Sequence, residues 1–235
     1  MIRILASVIV AATLLVSCGL EPEVSEPADP IGVFVEGPCP MPIPEGLVEG
    51  ESVRCGTIEV PERHGEPDGR TLLLRAAVFP ATGDNPSPAP LFVATAGPGV
   101  SGLETVTPEA ASPLAPVLLS QRDLVLIEYR GLPLAEPNLM CPEMVEFAVG
   151  TRDRDLFGEQ YVTEHVEAAA ACRDRLLDEG VRLDAFNNTE TAADIAMVMT
   201  ALGYETFNVY GTSAGTILAQ TLLRDHPDRL RSVVI

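Results

Sequence analysis

The sequence predicts an α/β domain: a largely parallel sheet with helices on both faces. Two observations carry this. From Leu91 onward, short apolar runs of strand length alternate with longer runs of helical spacing. Those short runs are apolar almost throughout instead of alternating with polar residues, as expected of strands covered on both sides. A third feature, the turn Gly211-Thr212-Ser213-Ala214-Gly215, joins one such strand directly to an apolar helix.

At the N-terminus, Arg3 precedes the apolar run Ile4 to Val16. The run is shorter than the roughly 20 residues of a membrane span and has the form of a secretory signal. It ends in Leu15-Val16-Ser17-Cys18-Gly19, which resembles a bacterial lipobox. Residues 1–17 are therefore expected to be removed and Cys18 to carry a lipid, leaving the protein exported and anchored to the outer side of the cell membrane. Residues 18–45 read as an acidic, proline-rich tether. No basic residue occurs between Gly19 and Val53, while Glu21, Glu23, Glu26, Asp29 and Glu36 repel one another and seven prolines bar regular structure. The folded part is expected over 46–235.

Composition narrows the function classes. The net charge is −19 and every basic residue is an arginine. So acidic a chain has no electrostatic footprint for nucleic acid. Besides Cys18 there are four cysteines, an even number in an exported chain, which allow three disulfide pairings. The pairing that closes the two shorter loops is Cys39–Cys55 with Cys141–Cys172. With no Cys-x-x-Cys and no clustered histidines, neither a metal nor a cofactor is expected.

Ser52 to Val60 and Thr71 to Phe79 read as strands of a hairpin, turned by the Pro/Gly-rich Pro61 to Gly69. Leu91 to Ala94 is a short strand that runs into the glycine-rich Gly97 to Gly102. Pro113 to Gln121 has helical spacing, and Asp123 to Glu128 is a buried-type strand. Leu132 to about Gly158 reads as irregular. Helices are expected over Glu159 to Leu177 and over Thr191 to Leu202, the second with Thr191 and Asp194 as a capping box and Gly203 beyond its end. Strand Phe207 to Tyr210, helix Ala214 to Arg224 and strand Leu230 to Ile235 follow.

The strand-turn-helix at Gly211 to Gly215 has the form of a nucleophile elbow. A serine on such a sharp turn has its Oγ aimed away from the sheet. Glycines two before and two after it, Gly211 and Gly215, avoid collision with neighbouring backbone. The following helix directs its N-terminal amides at the reacting centre, so the Ala214 amide is placed to bind an oxyanion. Ser213 is the expected nucleophile.

From about Cys39 to Ile235 the chain resembles the α/β-hydrolase superfamily, in particular its exported branch of proline iminopeptidases and tripeptidyl aminopeptidases. The likeness rests on the elbow, on Thr95-Ala96-Gly97-Pro98-Gly99 where the branch carries its oxyanion turn, on Glu128-Tyr129-Arg130-Gly131 where it carries Asp-x-Arg-Gly, on Ala201 to Tyr204, and on His226-Pro227. The resemblance implies a serine hydrolase acting on short peptides, with Gly97 as the second oxyanion amide and two local disulfides. Thr95, Ala96, Glu128 and Tyr129 depart from the branch's usual residues, so an esterase or acyl transferase is the alternative substrate reading.

In this fold the triad acid and histidine follow the serine in chain order. The sequence ends at Ile235, so both are expected to be missing from these 235 residues, together with the helical cap. His64 is expected in a solvated turn and His165 on a helix surface. His226 would sit about 20 Å from Ser213, at the far end of the helix. Asp194 reads as a helix cap. Glu128 or Glu143 could pair with a substrate amine, against the plainer reading of each as a solvated carboxylate. Asn187-Asn188-Thr189 matches a glycosylation sequon, which carries no weight in a bacterial chain. The last strand would leave an apolar sheet edge to be covered by a partner chain or by the missing C-terminal part. A catalytically inactive lipoprotein or binding module is the competing reading.

Overall fold

In a computed structural model of the chain, residues 31–95 and 97–235 are described. The signal segment 1–17, Cys18, most of the tether and Ala96 lie outside the described residues. Seven strands, β1 (Phe34–Gly37), β2 (Arg54–Pro61), β3 (Thr71–Phe79), β4 (Leu91–Ala94), β5 (Leu124–Glu128), β6 (Phe207–Gly211) and β7 (Leu230–Val234), form one sheet in the order β1-β2-β3-β5-β4-β6-β7. Strands β5, β4, β6 and β7 pair in parallel, as the alternation with helices predicts. The N-terminal side, β1-β2-β3-β5, is antiparallel. Of these, β2 and β3 are joined by the turn 62–70, too short for the crossover that a parallel pair requires.

All five residues of β5 are buried, and the four apolar ones alternate between two cores. Val125 and Ile127 face a cluster with Phe92, Ile195, Met199, Leu218 and Leu222. Leu124 and Leu126 face a second one with Met41, Phe79, Leu103 and Leu119. This two-sided burial is why the strand reads as an unbroken apolar run.

The helices are α1 (Gly102–Val106), α2 (Ala115–Leu118), α3 (Pro142–Gly150), α4 (Glu159–Asp178), α5 (Asn188–Ala201) and α6 (Ala214–Asp225). Several expectations are corrected. The stretch 18–45 is not tether to its end: Phe34 to Gly37 pairs with β2, and Met41 is buried in the second core. The segment 132–158 holds α3, begun by Pro142 at its first position, where the missing N–H costs nothing. The helix expected over 113–121 shrinks to the single turn α2. Helix α5 starts three residues earlier than expected. Its N-cap is Asn187, whose side chain accepts from the amides of Thr189 and Glu190, both at 3.0 Å. Thr191 and Asp194 are therefore inside the helix and not its cap.

Two disulfides are present, Cys39–Cys55 and Cys141–Cys172, 16 and 31 residues apart in sequence. The first fastens the proline-rich segment to β2; the second ties the start of α3 to α4. Loops of these lengths imply a chain-entropy stabilisation of about 3–4 kcal/mol each. Replacing Cys141 and Cys172 together by serine should lower the melting temperature of the full-length protein by roughly 6–14 °C, measured by differential scanning calorimetry. A shift below about 2 °C would count against the staple.

Candidate active site

Ser213 occupies φ 50°, ψ −122°, and among the described residues it is the single non-glycine at positive φ. Such a conformation costs a serine about 1–3 kcal/mol and persists only where the surroundings hold it. The surroundings are visible. A Cβ on Gly215 would lie 2.0 Å from the carbonyl oxygen of Ala94, and one on Gly211 would lie 2.7 Å from that of Gly215. The backbones of β4, β6 and α6 thus approach so closely at the turn that only glycine fits on either side of Ser213.

The parallel register explains what faces the serine. Ala94 pairs with Gly211, so β4 and β6 end side by side. The glycine-rich turn after β4 therefore stands next to the elbow after β6, at the carboxyl ends of the parallel strands, where ligands bind in open α/β sheets. A pocket of about 350 Å³ lies between them. Gly97, Val100, Leu132, Met140, Phe186 and Ala214 are among the residues that line it. Ser213 itself is exposed at this end of the sheet, and Ala214 begins α6. The structure so places two of the expected site positions, Gly97 and Ala214, on one pocket, with Ser213 next to Ala214 at the start of α6.

It does not bring in the acidic candidates. Glu128 is fully buried and not solvated as weighed above; it accepts from Ser101 Oγ at 2.7 Å and from the Leu134 amide at 3.2 Å. Burial pushes its carboxyl up, against those donors, which favour the charged form. Glu143 is paired with Arg175 at 2.6 Å, whose guanidinium holds it below the usual carboxylate range. Neither lines the pocket. Cys141, Glu143 and Cys172 come together, but the two sulfurs form a disulfide and cannot ligate a metal.

The histidines are engaged elsewhere. His165 stacks edge-on against Phe147 at 5.4 Å, centroid to centroid. His226 follows α6, about 20 Å along the helix from Ser213. Burial holds its ring below the ordinary value, with Arg229 and His64 acting the same way and Asp225 opposing. Folding therefore favours neutral His226. The stability linked to it is present above pH about 6.5 and is lost as pH falls through the lower folded value. His226→Gln should flatten that acid-side loss in urea midpoints collected across the range; an unchanged slope would remove His226 from the account.

His64 is not solvated. Its Nε2 lies 2.8 Å from Asp194 Oδ1, and its ring is mostly buried. Asp194 in turn receives two bonds from Arg130, at 2.7 Å each. The remaining Arg130 donors go to the carbonyls of Pro61, Glu62 and Ala185. This buried group fastens the β2–β3 turn to α5 behind the pocket. Sequence reading named its members separately and missed the cluster, since they are up to 130 residues apart.

Residues 90–235 match the family described as alpha/beta hydrolase fold. The whole chain aligns, at 27% identity, with the serine protease Hip1 of Mycobacterium tuberculosis and of Mycobacterium bovis, covering 46% of each. The chain thus spans about half the length of these relatives. Among solved structures, the proline iminopeptidase of Mycobacterium smegmatis superposes with a TM-score of 0.40 at 17% identity, over 75% of this chain and 42% of that one.

Proposed function

The chain belongs to the α/β-hydrolase fold family, and we propose that it is the nucleophile-bearing part of an exported, lipid-anchored serine hydrolase that acts on short peptides. Ser213 attacks the substrate carbonyl, and the amides of Gly97 and Ala214 receive the oxyanion. The acid and the histidine of the triad come from beyond residue 235. The observation that carries the reading is the strained, exposed Ser213 at the start of α6, with Gly97 and Ala214 lining one pocket beside it. That His64, His165 and His226 are each engaged or distant supports an outside source for the base. So does a groove of about 820 Å³ beside β6 and β7, lined by Val93, Val209, Tyr210 and Val234, which further chain would cover. The disulfides fit an oxidising compartment, and no helix among the described residues is long and apolar enough to cross a membrane. Lipid on Cys18 remains the proposed anchor.

The test uses the full-length protein. Exposure to a fluorophosphonate should leave a covalent adduct that peptide mapping places on Ser213, and arylamides of short peptides with a free N-terminus should be cleaved. An adduct elsewhere, or none, would defeat the assignment. Hydrolysis of esters and N-blocked peptides in preference to free-amine substrates would favour the esterase or acyl-transfer reading. One observation favours that second reading: among the described residues that line the pocket, none is a carboxylate that could hold a substrate ammonium.

A further inference from the structure

Clamps on the glycine-rich turn are visible at both of its ends, and they come from adjacent residues. We propose that Glu128 and Tyr129, at the carboxyl end of β5, are positioning residues that hold Ser101 and Thr95, which flank the glycine-rich turn, in register with Ser213. The inference rests on the serine-hydrolase reading for its consequence in catalysis, but the clamp itself is independent of that reading.

At the start of the turn, just past β4, the Thr95 amide donates to the Tyr129 hydroxyl at 3.2 Å. At its end Ser101, the N-cap of α1, donates its hydroxyl to Glu128 while accepting from the Glu104 amide at 3.2 Å. Ser101 is 3% exposed and Glu128 not at all, so the bond between them is shielded from solvent. Successive side chains on a strand point to opposite faces. That is why two neighbours at one strand end reach the two ends of a turn that passes over it. Parallel pairing of β5 with β4 brings that end beneath the turn.

The turn needs such anchors because Gly97, Gly99 and Gly102 give its backbone wide freedom. A donor amide misplaced by about 1 Å can cost roughly 100-fold in rate. Both anchors have a further tie: Glu128 accepts from the Leu134 amide, and the Tyr129 ring packs edge-on against Phe92 at 6.2 Å. Glu128 lies outside the pocket and Tyr129 lines it, and each bonds to a residue that flanks the turn.

The experiment compares the full-length protein with Tyr129→Phe and Glu128→Gln. Tyr129→Phe removes one oxygen and leaves the packing on Phe92. Amide hydrogen exchange over residues 95–104 is expected to quicken about tenfold in each variant, while exchange in α5 and the urea midpoint of Tyr129→Phe stay near those of the parent. On whichever acyl substrate the parent cleaves, kcat is expected to fall about tenfold with KM within about twofold, since an oxyanion donor acts on the transition state. Unchanged exchange in the turn, or a rise spread evenly over the whole domain, would overturn the clamp. Changed exchange with kcat unaltered in an active enzyme would overturn its role in positioning. A parent protein inert toward peptides and esters would defeat the hydrolase reading, and exchange alone would then decide the clamp.

Discussion

Asp194→Ala is expected to destabilise the domain by about 3–5 kcal/mol, read as a lower urea midpoint. The cause is the charge left behind. The Arg130 and Asp194 side chains are each 1% exposed, so the bare guanidinium would be stranded away from water. Its remaining bonds, to the carbonyls of Pro61, Glu62 and Ala185, satisfy donors but do not neutralise charge. Asp194→Asn should fare little better: it keeps the shape, loses the charge and turns an amide N–H toward donors. Arg130→Met should cost a similar amount by orphaning Asp194, which would keep only His64. Combining Arg130→Met with Asp194→Leu should cost less than the sum of the single changes, because no charge is then left unpaired. Single variants within about 1 kcal/mol of the parent would show that water reaches the group and that the pair is not sealed.

That cluster also marks where sequence reading stops. The parallel half of the sheet is legible because two-sided burial writes apolar runs such as Leu124 to Ile127, and the elbow is legible because its steric demands fall within five residues. By contrast, β1 has four residues, lies at a sheet edge among prolines and acids, and becomes a strand only through pairing with β2 about 20 residues later. Its pattern could not announce that. The Asn187 cap did leave a signal: Asn187 stands three residues before Glu190, as a capping-box spacing requires, and it competed with an equally good-looking Thr191-x-x-Asp194. Burial of the second pair decides between them, and burial is not written locally. Arg130 and Asp194 are 64 residues apart, and Glu128 and Ser101 27 apart, so their partnerships are set by strand order and helix placement. The fold is therefore readable where the constraint is local or periodic. The polar groups that fix the pocket's walls become readable only once topology has been imposed.

Ser213→Gly should separate stability from chemistry at the elbow. The serine sits at φ 50°, where glycine pays no steric penalty. Substituting glycine should thus raise stability by about 1 kcal/mol, less the backbone entropy that glycine brings to the unfolded chain. Ser213→Ala keeps a Cβ in the same strained turn and should leave stability within about 0.5 kcal/mol of the parent, because the side chain is exposed and no bond to its hydroxyl anchors the fold. Both variants should lose hydrolysis by about 10⁵- to 10⁶-fold in the full-length protein, as expected when a nucleophile is removed from an otherwise intact site. The joint outcome is informative. A glycine variant that is more stable and inactive would mean the turn holds strain for the sake of the serine's position, the trade expected at a functional site and not at an inert loop. A glycine variant that is less stable would mean the strain is offset by contacts of the serine Cβ. Retained hydrolysis in either variant would remove Ser213 from the reaction and with it the serine-hydrolase reading.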